Sequence, residues 1–170
     1  MKAIDIAREF IARYSDTLEI TNLKLNKLVY YTQVESLRCY GEALFCDDIE
    51  AWQYGPVVPE VYSVYKRFGR ERIPREAAVD LLPKYAEEIV CTVASTYGKL
   101  TAFDLVSLSH RTGGAWERVY TPRENRTITL DDIRASKDMG GFSSVGRTVD
   151  QIVDSVVASI PNALRMLEIS

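Results

Sequence analysis

The chain has one histidine, His110, and so only one side chain that titrates near neutrality by default. Ser109 precedes it, but a hydroxyl next to an imidazole in sequence is not a nucleophile–base pair, because neighbouring side chains on a helix diverge. The plainer reading of His110 is a helix-terminal residue contacting carbonyls before the break at Gly113-Gly114. Asp47-Asp48 suggests metal binding at first sight, and the same divergence argues against chelation. Cys39, Cys46 and Cys91 form an odd set with no C-x-x-C pair. That pattern fits reduced thiols serving as small core residues, rather than a disulfide framework or a zinc site. The glycine pairs lack a following Lys-Ser/Thr, so no phosphate-binding loop is present. An enzyme built on Tyr54, His110 or a carboxylate would lack a converging nucleophile, base and orienting group. The expectation is a protein without catalysis, metal or cofactor.

Residues suited to binding are better represented. In Trp52-Gln53-Tyr54-Gly55-Pro56-Val57-Val58-Pro59 the two prolines stiffen the backbone, and Gly55 permits a turn or a close approach that a Cβ would block. A stiff loop flanked by aromatics loses little entropy when it docks. The candidate partner contacts are therefore Trp52, Tyr54, Val57, Val58, Glu60, Tyr62 and Tyr65, with Gly55, Pro56 and Pro59 as the structural motif. These residues can equally fix a tight turn and pack a core, and for Gly55 and Pro56 that is the better reading. Downstream, Lys66, Arg67, Arg70, Arg72 and Arg75 face only Glu71, and Tyr62, Tyr65 and Phe68 are interleaved. Lys66, Arg67, Arg70 and Arg72 thus form an alternative nucleic-acid patch. The acidic run Glu42, Asp47, Asp48 and Glu50 could answer this cluster within the fold, and a solvated charged face carries more weight. A net charge of −3 and a pI near 5.3 leave no general footprint for a polyanion.

Helices must position these residues. Ile4, Ala7, Ile11 and Tyr14 form one stripe over residues 3–14. Thr21 caps a second helix running to about Cys39, with Leu25, Leu28 and Val29 inward and Gly41 past its end. Pro59 opens a short helix that Gly69 closes, and Pro83 opens another that stops at Gly98. Thr101 with Asp104 resembles a capping box for residues 102–111, and Thr129 with Asp131 and Asp132 starts a further short helix. Val149, Ile152, Val153, Val156, Val157 and Ile160 make the last stripe, a C-terminal helical segment over 147–168 that could pack on its own domain or pair two copies. Short strands fit only at 49–54 and about 126–129. The expected fold is all-α, one domain over 1–170 with six to seven helices around one core and room for one short β-hairpin. No secretory h-region and no ~18-residue apolar run is present, so a cytoplasmic protein without a membrane is expected.

Two segments are more than generic. Leu25-Asn26-Lys27-Leu28-Val29-Tyr30-Tyr31-Thr32-Gln33, followed by Gly41-Glu42-Ala43-Leu44-Phe45, is the first, and Ile49 through Tyr62 is the second. Together they resemble the signature of the Panacea domain, the SocA-like family also met as the phage-associated protein GepA. Leu108-Ser109-His110-Arg111-Thr112 leading to Ala115-Trp116 is similar to that family's weaker second block. The likeness covers roughly residues 3–135. It implies an antitoxin that binds a cognate protein toxin, with a Clp-type protease as a further partner where the antitoxin acts as an adaptor. It carries no catalytic residues.

Overall fold

A computed structural model describes residues 1–77 and 82–141 of the chain. The element order is α1 (Ala3–Tyr14), α2 (Asn22–Tyr40), β1 (Glu50–Trp52), β2 (Gly55–Val57), α3 (Pro59–Tyr65), α4 (Lys84–Tyr97), α5 (Ala102–Ser109), α6 (Ala115–Val119) and α7 (Leu130–Arg134), with 3₁₀ turns at Lys66–Phe68 and Lys137–Gly140. The fold is mainly helical, with a two-stranded hairpin as its one sheet among the described residues. The C-terminal segment 147–168, and with it the dimer expectation, lies outside those residues.

Helix α2 is the central element. Apart from Leu23 it is buried from Asn22 to Leu37, and α1, α4, α5, α3 and the hairpin all pack around it. Thr21 caps its start by accepting the Lys24 amide at 3.3 Å, and Gly41 ends it in the left-handed region at φ 72. Ile6, Phe10, Ile11, Leu25, Leu28, Val29, Ile89, Val90, Val93 and Leu105 share one core. The expected Thr101–Asp104 box is present, and the expected helix after Thr129 opens with a second box that the sequence reading did not foresee, Thr129 with Asp132, so both starts satisfy free amides locally.

Three expectations need correction. All three cysteines are exposed, because each falls on the solvent side of a helix or loop and not on an apolar stripe. Residues 126–129 form no strand: Thr127 makes only an isolated bridge to Glu50, while β1 finds its partner in β2, with Glu50 opposite Val57 and Trp52 opposite Gly55. The acidic run does not answer the basic segment, since Asp47 accepts the Ala3 amide at 2.8 Å and Glu50 accepts Trp52 Nε1 at 2.6 Å.

Candidate docking site

The hairpin is held from beneath by polar groups of α2. Asn26 Oδ1 accepts the Val58 amide at 3.1 Å, and its Nδ2 donates to the Asn22 carbonyl at 3.0 Å. Lys27, fully buried, donates from Nζ to the Pro56 carbonyl at 3.0 Å. Burial brings its pKa down from its ordinary 10.5 to about 7, since a buried ammonium loses its hydration. Gly55 sits over this pair at φ 97, where a Cβ would lie 2.5 Å from Ser109 Oγ and 2.7 Å from Lys27 Cε. The glycine is thus required twice, for its left-handed backbone and for the space beside it. Ser109 acts as packing here: its hydroxyl donates back to the Val106 carbonyl at 2.8 Å.

Aromatic rings fix the neighbouring wall. His110 stacks on Trp116 with ring centroids 3.5 Å apart, and Trp116 stacks in turn on Tyr120 at 4.4 Å. Trp116 Nε1 donates to the Trp52 carbonyl at 2.7 Å, tying α6 to the hairpin. Burial, and next the nearby Lys27 charge, lower the His110 pKa to about 4. A neutral ring stacked on indole follows, in place of the expected helix-terminal contact to carbonyls, and Nε2 has no partner among the described residues. Lys27 and His110 both have perturbed pKa values, but Lys27 is fully buried and bonded to the Pro56 carbonyl, whereas half-buried His110 lies flat on Trp116. Among the described residues no three of His, Cys, Asp and Glu gather where a metal ion could be held.

The expected contact residues divide into two groups. Val57, Val58 and Tyr65 are buried core residues and offer no surface, a correction to the sequence reading. They face inward because β2 lies against α2 and because α3 turns its Val61–Tyr65 side to the core. Gly55 and Pro56 are buried as well, and Pro59 is half-buried at the start of α3. Tyr54 stands at the hairpin turn with 39% of its surface exposed, beside exposed Gln53. Half-buried Trp52 meets Tyr62 edge to face at 4.8 Å, and exposed Glu60 lies 3.9 Å from Lys2. The accessible part of the motif is therefore a rim: Trp52, Gln53, Tyr54, Glu60 and Tyr62.

The basic segment is largely answered inside the fold. Arg72 donates to the Ser15 carbonyl, Arg75 pairs with Asp16 at 3.0 Å, and Arg67 lies 3.7 Å from Glu76 and over the Phe68 ring. Asp16 and Glu76 take the place of the acidic run, and Asp16 was missed in the sequence reading because its pairing with Arg75 spans 59 residues. Lys66 and Arg70 remain exposed without ion pairs among the described residues.

Sequence reasoning also missed a cleft beside the hairpin turn, lined by Gln53, Tyr120, Pro122, Arg123 and Asn125 and enclosing about 400 Å³. Its far wall carries two non-glycine residues in the left-handed region, Arg123 at φ 70 and Asn125 at φ 46. No local sequence signal marks it, since its walls lie some 70 residues apart in the chain.

Comparison with known proteins bears on the same residues. The family model described as "Antitoxin SocA-like, Panacea domain" matches residues 25–117, from the first turn of α2 through the hairpin to α6. The chain belongs to this family. It is 33% identical over 112 residues to a protein named Antitoxin SocA from Caulobacter vibrioides (strain NA1000 / CB15N), a match covering 59% of this chain and 60% of that protein. The chain thus spans about three fifths of the length of its curated relative. No solved structure matches it. Asn26, Lys27, Gly55, Pro56, Ser109 and Trp116 all fall within the matched segment, and of these Asn26, Lys27 and Trp116 bond the backbone of the hairpin and its exit.

Proposed function

We propose that this SocA-like protein is an antitoxin that neutralises a cognate protein toxin by direct binding, with the rim Trp52, Gln53, Tyr54, Glu60 and Tyr62 as the contact. One observation carries this reading: the family-matched segment is the one that builds and pins the hairpin. Neutralisation of this kind needs affinity and not a reactive group. A rigid rim bearing a half-exposed tyrosine and a tryptophan supplies affinity at low entropic cost. Occlusion of the toxin's working surface is the simplest mechanism, and delivery to a Clp-type protease adds a second step to the same binding event. The nucleic-acid alternative has less support, because Arg67, Arg72 and Arg75 are engaged by Glu76, Ser15 and Asp16.

The test is co-expression with the adjacent small open reading frame, followed by affinity capture and toxin half-life measurement. Rescue of growth with a stable, captured toxin supports occlusion. Rescue with a shortened half-life that depends on a Clp protease supports delivery. Persistent toxicity without capture ends the proposal.

A further inference from the structure

The cleft beside the hairpin turn has a chemistry that selects its occupant. Its lining supplies one guanidinium (Arg123), two carboxamides (Gln53 and Asn125), the Tyr120 ring and the Pro122 ring, and no carboxylate. The adjacent Glu124 is directed to Arg126, with 3.8 Å between the charged atoms, so it leaves Arg123 unneutralised. Arg123 makes no ion pair among the described residues. An exposed guanidinium beside amide donors and stacking faces is complementary to a carboxylate carried on a short peptide, since Arg binds carboxylates through paired N–H donors.

The walls are also set in advance. Tyr120 is stacked on Trp116, which donates to the Trp52 carbonyl one residue from Gln53. The exit of the loop is tied to β1 and the residue before it by two backbone bonds, Ala51 N–H to the Arg126 carbonyl at 2.8 Å and Ile128 N–H to the Ile49 carbonyl at 2.7 Å. Arg123 and Asn125 keep left-handed backbones, a conformation that side-chain-bearing residues adopt rarely and that tends to collect at ligand clamps. The volume is ample for one or two side chains of a docked peptide.

We infer that this cleft receives an acidic side chain of a peptide segment in the partner protein, with Arg123 as its counter-charge and Tyr120 as the surface on which the neighbouring residue lies. The inference deepens the antitoxin reading and rests on it, because it names the chemistry of the partner at the edge of the same rim.

The full chain, labelled with ¹⁵N, is titrated with the capped peptide Gly-Glu-Tyr-Gly, its Gly-Lys-Tyr-Gly counterpart and a thymidine hexanucleotide. The glutamate peptide is expected to shift the amides of Gln53 and of residues 120–125, and to bind about tenfold more tightly than the lysine peptide, the worth of one charge-assisted contact. Arg123→Gln and Arg123→Gly should each remove that preference. The glycine variant accepts φ 70 without strain, so its loss cannot be ascribed to misfolding. Equal binding of the two peptides, shifts located elsewhere, or a preference for the oligonucleotide each overturn the inference. A second arm separates this outcome from the function itself. If the wild-type chain captures the toxin but Arg123→Glu captures it equally well, the cleft is refuted and the antitoxin reading stands. If the wild type captures nothing, that reading fails and the cleft's assignment falls with it.

Discussion

Lys27 illustrates how a single residue can be both costly and necessary. A buried ammonium with one carbonyl partner is poorly compensated, and burial lowers its pKa to about 7 from an ordinary 10.5. The unfolded chain therefore binds more protons than the folded one between those two values, and stability rises with pH across that window. Below about pH 7 both states carry the proton and the contribution is constant. Lys27→Met should abolish this rise, whose steepest slope is about 1.4 kcal/mol per pH unit. Urea melts from pH 7 to 10 check it, and an unchanged slope in the variant would mean that Lys27 is solvated. Gly55 stands above the same side chain, at φ 97 and with Ser109 and Lys27 within 2.7 Å of any added methyl. Gly55→Ala combines backbone strain with overlap and should cost at least about 2 kcal/mol in chemical denaturation. A loss near zero would show that the hairpin can shift off α2.

At the scale of elements, the parts legible in the sequence were those specified by near neighbours. Helix α1 fell at residues 3–14 as its stripe indicated, the expected Thr101–Asp104 cap acts within three residues, and the helix expected after Thr129 is present. Long-range features stayed hidden. Strand β2 reads as a turn, since Gly-Pro is a breaker pair and proline is rare within strands, yet Pro56 sits opposite Ala51 because Lys27 and Asn26 hold this edge from beneath. The buried role of Lys27 ran against the usual exposure of lysine. Asp138 was also missed. It lies in the last 3₁₀ turn, beyond the family match, and its carboxylate accepts Tyr30 Oη at 2.6 Å, the Ala115 amide at 2.9 Å and Arg111 Nε at 3.1 Å. This one group joins α2, α6 and the loop that follows α5. Asp138→Asn leaves Arg111 without its charge partner inside a nearly closed site and should cost more than about 2 kcal/mol by thermal or urea unfolding. A variant as stable as the wild type would show that the junction is wet and loosely joined.

For the whole molecule, the arrangement separates a scaffold from a rim within one short motif, and that separation can be tested. Val58 is fully buried against α2, whereas Tyr54, four residues earlier, has 39% of its surface exposed. Val58→Asp places an uncompensated carboxylate in the core and should unfold the chain or cost several kcal/mol, so any loss of neutralisation would follow from loss of fold. Tyr54→Asp changes an exposed side chain at a hairpin turn and should leave the melting temperature within a few degrees, as most surface substitutions do. If the rim is the toxin contact, Tyr54→Asp nonetheless weakens capture by tenfold or more, in the range of an aromatic anchor lost from an interface centre. Thermal melts and toxin capture on the same preparations give both readings. A Tyr54→Asp protein that melts like the wild type and still holds the toxin would move the contact away from the hairpin. The buried clamp of Lys27, Asn26 and Gly55 would then serve folding alone.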